Sequence, residues 1–115
     1  MNIFSSIYQQ SCQISDFTWQ IIQFWSVFDK QIIGQYFLKC VDDASVNLGK
    51  TALLANEKVK IKYLNLAIEN LIDANLWLDK AKRRKLVSQK DYKELYGKLT
   101  NLEYSIKKAT QEKKV

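Results

Sequence analysis

Apolar residues recur with helical spacing in four stretches of this chain. In the first, Ile14, Phe17, Ile21, Ile22, Phe24, Trp25 and Phe28 fall within roughly half of a helical wheel, which predicts a wide core-facing stripe. Trp19 and Val27 lie outside that stripe, and Trp19 shares its side with Gln23 and Ser26. It is therefore either an aromatic tucked under a neighbouring helix or a contact between chains, and Trp19 and Val27 are the candidate oligomer interface. The second stretch places Ile33, Tyr36, Phe37, Cys40, Val41, Ala44 and Leu48 on one face, with the break from the first helix expected between Asp29 and Gln31.

The second helix is expected to stop around the segment LLANEK. There Asn56 can cap the next helix and Glu57 lies at its positive end. The third helix is read from Glu57 to Lys85, with Leu64, Ala67, Ile68, Leu71, Ala74, Leu78 and Ala81 on one seam. It is roughly 40 Å long at about 1.5 Å per residue. After a short turn, Ser88 has the position of an N-cap, Asp91 that of a capping-box partner, and Val87 can staple to Tyr92. The fourth helix carries Tyr92, Leu95, Tyr96, Leu99, Leu102, Ile106 and Ala109, and it is expected to fade into TQEKKV. Four amphipathic helices on short connections predict an all-α, antiparallel up-and-down four-helix bundle over residues 1–110, with a basic tail at 111–115.

Composition supports this reading. The 115 residues contain no proline and three glycines, too few turn formers for a many-stranded fold, and 47% apolar content suffices for one modest core. Cys12 and Cys40 read as reduced core residues. No secretion signal opens the chain, and residues 17–28 are too short to cross a bilayer, so a cytoplasmic protein with no membrane partner is expected.

Charge changes the picture more. Residues 1–49 hold two lysines and four acids, a net −2, whereas residues 50–115 hold sixteen Lys/Arg and eight acids, a net +8. Five of the six residues from 80 to 85 are basic. In an antiparallel bundle, Lys80, Lys82, Arg83, Arg84, Lys85 and Lys90 gather at one end. Lys50, Lys58, Lys60, Lys62, Lys107 and Lys108 gather at the other, roughly 35 Å away. Cations in the last turn of a helix complement its terminal carbonyls, so the run is first a helix end. Its charge exceeds that need, and clustered Lys/Arg neutralise phosphates in a salt-dependent, largely sequence-independent way. Arg83 and Arg84 are the stronger phosphate candidates because a guanidinium fork matches two oxygens.

Enzymatic chemistry is poorly provided for. There is no histidine, no phosphate-cradling Gly-rich loop and no metal-ligand spacing at the two cysteines. Glu69 and Asp73 stand four apart and could pair as carboxylates, but they read as solvent-facing charges or partners for Lys62 and Lys80. A non-enzymatic binding protein with no cofactor or metal is expected. The competing expectation is a protein-interaction scaffold whose lysines serve only solubility.

Residues 69–95, ENLIDANLWLDKAKRRKLVSQKDYKEL, resemble the best-preserved part of a four-helix-bundle family. That family comprises the 23S rRNA intervening-sequence proteins and the Avd accessory proteins of diversity-generating retroelements. Leu71, Asp73, Leu78, Ala81, Leu86, Val87, Ser88 and Tyr92 fall on its pattern without a gap. Upstream, Asn47, Leu48, Lys58 and Tyr63 do the same, so the resemblance spans residues 36–110. The family's turn glycine is replaced by Lys85, and its Pro and Glu-Gly are missing. The resemblance implies a homopentamer of bundles with a basic surface. Its partner would be RNA or a DNA/RNA hybrid, together with a reverse transcriptase in the Avd branch, and neither branch would be enzymatic.

Overall fold

The computed structural model describes the backbone of residues 2–54 and 56–114, and side-chain burial up to Gln111 with Ala55 excepted. All regular structure among the described residues is helical. The order is α1 (Ile3–Ile22), a single turn α2 (Val27–Asp29), a π-helical turn (Lys30–Gly34), α3 (Gln35–Leu53), α4 (Glu57–Arg83) and α5 (Gln89–Lys114). Because α2, the π turn and α3 follow one another without a break, the molecule is a four-armed antiparallel bundle. Its extents are 45 × 22 × 21 Å.

Each arm starts on a side-chain cap, which explains where the chain turns. Asn2 Oδ1 accepts from the Ser5 N–H (2.9 Å), Ser26 Oγ from the Asp29 N–H (3.1 Å), Asn56 Oδ1 from the Val59 N–H (3.2 Å) and Ser88 Oγ from the Asp91 N–H (3.1 Å). The Asn56 and Ser88 caps are those expected. The Ser26 cap moves the first break four residues upstream of its expected place, since α1 ends at Ile22.

That shift overturns part of the first stripe. Ile14 and Ile22 are buried and Phe17, Ile21 and Trp25 half-buried, but Phe24 and Phe28 are 84% and 69% exposed. Once the helix stops at Ile22, the periodicity that placed them on the core face no longer applies. The seams of the remaining arms hold better. Phe37, Val41, Ala44 and Leu48 of α3, Leu64, Ala67, Leu71, Ala74, Leu78 and Ala81 of α4, and Leu95, Leu99, Leu102, Ile106 and Ala109 of α5 are buried. Tyr36 and Tyr96 are the exceptions: Tyr36 stacks on Trp77 at the surface (centroids 5.3 Å) and Tyr96 on Tyr92 (5.9 Å).

The α1–α3 contact is lined with small residues. Ser11 Oγ, which donates to the Tyr8 carbonyl (2.6 Å), lies 3.2 Å from Ser45 Oγ, and a methyl group added to Gly49 would stand 3.1 Å from the Tyr8 ring. At the top of the same contact a Cβ on Gly34 would meet Ile22 Cγ2 at 2.9 Å, so the π turn needs glycine to lie against α1. Cys12 and Cys40 are free thiols and only half-buried. The fourth helix, expected to fade after Ala109, continues to Lys114; Val115 lies outside the described residues.

Candidate nucleic-acid interface

The topology brings the C-terminus of α1, the π turn, the C-terminus of α4 and the N-terminus of α5 to one end of the rod, called the upper end below. Helix α4 closes in a Schellman turn: the Leu86 N–H donates to the Ala81 carbonyl (2.9 Å) and the Lys85 N–H to the Lys82 carbonyl (3.0 Å). Lys85 takes the left-handed position of that turn, at φ 62°, where glycine is the usual occupant. The turn thus ends α4 at Arg83, two residues earlier than expected, and holds Arg84 and Lys85 outside the helix.

All six expected cations of this end are exposed. Arg83 Nε is 2.9 Å from Asp79 Oδ2, and Lys82 Nζ lies over the Tyr92 ring at 4.2 Å. No carboxylate stands within 4.0 Å of Lys80, Arg84, Lys85 or Lys90 among the described residues. Four cations are therefore available to an anion in a single turn and its two flanks.

The lower end also gathers its expected set, but most members are engaged. Lys60 Nζ lies 4.7 Å from the Phe4 ring centroid and 3.9 Å from Glu57, and its side chain is only 16% accessible. Lys50 and Lys62 approach the Tyr63 ring at 4.7 and 5.5 Å, and Lys107 pairs with Glu103 at 3.3 Å. Lys58 and Lys108 are exposed, with Lys108 edging a cleft beside Ile3 and Tyr104. Between the two ends runs an acidic band. Burial raises the Asp42 carboxyl, with Asp43 and Asp16 adding repulsion, while Asp43 accepts from Lys39 at 2.6 Å and lifts that ammonium. The Cys40 thiol is pushed up first by burial, then by Asp73 and Asp43.

Trp19 and Val27, the expected interface pair, are 54% and 70% exposed, and Val27 stands on a corner with Phe24 and Phe28 that sequence reasoning had placed in the core. The missed signal is the Ser26-x-x-Asp29 capping box, whose Ser26 Oγ also donates to Asp29 Oδ2 (2.9 Å). Glu69 and Asp73 are exposed, as expected for solvent-facing charges. No set of three or more His, Cys, Asp or Glu that could hold a metal occurs among the described residues, nor is any helix long and apolar enough to cross a membrane.

Compared with known proteins, the chain matches no family profile and no curated protein. It does superimpose on a crystal structure of a protein of unknown function from the S23 ribosomal protein family of Bacteroides thetaiotaomicron. The TM-score is 0.87 at 13% identity, covering 96% of this chain and 99% of the other. At that identity the likeness is one of fold, and it extends over the whole bundle.

Proposed function

We propose that this chain is a non-enzymatic RNA-binding accessory protein acting as a homo-oligomer, with the upper end as its RNA contact. The observation that carries this reading is the Schellman turn, which presents Arg84 and Lys85 beside Lys80 and Lys90 with no carboxylate partner among the described residues. Such a cluster suits phosphate oxygens, and the exposed Arg84 brings a guanidinium fork that matches two of them. The acidic band and the engaged lower lysines favour one end of the rod over the other. The neighbour's membership of a ribosomal protein family supports an rRNA-type role. Service to a retroelement reverse transcriptase is the alternative branch of the same reading, and a DNA/RNA hybrid the alternative ligand.

Binding of a structured RNA at two salt concentrations tests the proposal. Wild type binds at low salt and loses affinity steeply as salt rises, and Arg83→Ala/Arg84→Ala binds more weakly with a shallower slope. Absence of binding at low salt, or binding indifferent to salt, removes the reading. The exposed corner of Phe24, Val27 and Phe28 specifically favours a second one, in which the bundle is a protein-interaction scaffold. The RNA titration separates the two, since the scaffold binds none, while light scattering tests the assembly they share: Val27→Ser shifts the mass if the corner joins copies, and a monomeric wild type counts against assembly in either reading.

A further inference from the structure

The upper end also holds a cleft between the last turns of α1 and the π turn, of about 270 Å³ and lined by Trp19, Ile22, Gln23, Lys30, Gly34, Gln35 and Leu38. Its chemistry is mixed in an informative way. Trp19 exposes about half of its surface, Lys30 supplies a cation, and two glutamines supply amides; no carboxylate is among the lining residues. Gln35 is already oriented, since its Nε2 donates to the Gln31 carbonyl at 2.7 Å, which leaves its side-chain oxygen as an acceptor. Gly34 keeps the floor open, because no side chain fits between it and Ile22. The π turn itself is a local widening of the helix, a device frequent at binding sites.

An aromatic face, a neighbouring ammonium and flanking amides are what an unstacked nucleobase requires: stacking, a phosphate contact and hydrogen bonds at the base edge. A purely apolar partner would leave Lys30 and the amides without partners, whereas a nucleotide uses all of them. A duplex offers no such base, since its bases are stacked and paired. Resting on the RNA reading above, we infer that the Trp19–Lys30 cleft receives an unstacked base from a single-stranded segment whose phosphates lie on the basic turn of the same end. Trp19 is then a nucleic-acid contact and not the association contact expected from the sequence, while Val27 keeps that role.

The test compares two labelled probes by fluorescence anisotropy, a single-stranded RNA of about 12 nucleotides and a blunt RNA duplex of the same sequence. Trp19→Ala lowers single-strand affinity by roughly 10-fold and leaves duplex affinity unchanged, and Trp19→Phe restores most of the loss. Lys30→Gln, which keeps most of the length of this half-buried side chain and removes its charge, lowers single-strand affinity by roughly threefold and makes its salt slope shallower by about one unit. Equal losses on both probes, no loss on either, or wild type that binds only the duplex overturns the inference and leaves the RNA reading standing. A Trp19→Ala change in oligomeric mass overturns it too, by returning Trp19 to a contact between copies. If wild type binds neither probe, the RNA reading itself has failed.

Discussion

The two ends of the bundle were given six cations each by the sequence pattern, and the structure treats them differently. At the lower end, lysines project from helical turns onto neighbouring aromatic rings, as Lys60 does over Phe4 and Lys50 over Tyr63. A cation over a ring gains about 0.5–1 kcal/mol at such sites, and it is withdrawn to that extent from other anions. At the upper end four of the six project from a non-helical turn or its flanks with no carboxylate partner among the described residues. Equal formal charge therefore does not mean equal capacity to bind. What decides is whether the fold supplies each cation with an internal partner.

The largest expected effect breaks this comparison directly. Neutralising Lys80, Arg84, Lys85 and Lys90 to alanine lowers RNA affinity by about 30-fold at low salt and makes the salt slope shallower by roughly three units. Neutralising Lys50, Lys60, Lys62 and Lys107 lowers it less than about threefold. Equal losses from the two sets, measured by anisotropy titrations, would show that the ends are equivalent. Next, Gly34→Ala places a methyl group 2.9 Å from Ile22 Cγ2 and costs about 1–3 kcal/mol in urea melts, because the buried Ile22 must shift to admit it. Gly97→Ala, whose Cβ meets nothing within 4 Å, stabilises by up to about 1 kcal/mol as an internal control.

Two smaller effects sharpen the account of the upper turn. Ser88→Ala removes the cap of α5 and costs about 1 kcal/mol, matching Asn56→Ala at the opposite end. Lys85→Gly relieves a left-handed lysine and raises stability by about 0.5–1 kcal/mol while weakening RNA binding, so stability and affinity move in opposite directions at one residue. Smallest is Asp42→Asn in the acidic band. The folded protein holds the Asp42 proton more tightly than the unfolded chain does, so its contribution is most favourable below the ordinary carboxyl value of 3.8 and is lost as pH rises through the raised value. Asp42→Asn accordingly raises the melting temperature at neutral pH, and the difference closes in acid.

Much of the bundle was legible because its signals are local. The seams of α4 and α5 and the Ser88 and Asn56 caps depend on residues within a turn or two, and pairs such as Asp79–Arg83 and Glu103–Lys107 follow from i,i+4 spacing. The corner failed for an equally local reason, since the wheel was continued through Ser26, whose capping box overrides apolar periodicity. What no local pattern discloses is contact between arms. That Lys82 meets Tyr92, or that Ser11 meets Ser45 inside the α1–α3 contact, requires knowing which faces come together. The candidate site was thus readable as a set of cations, whereas the division into engaged and available ones belongs to tertiary structure.

The π turn has a consequence for how this corner tolerates change in chain length. Gln35 donates its backbone N–H to the Lys30 carbonyl five residues back, so the turn accommodates one more residue than an α-helical turn spanning the same contacts. Deleting a single residue there would restore α-helical winding and rotate everything upstream by about 100° around the arm. Val27 and Phe28 would swing to a different side of the rod, and the cap at Ser26 would no longer meet the end of α1. The outward aim of the corner is therefore set by the number of residues in the turn, so a one-residue deletion reorients it where most point substitutions leave it facing the same way.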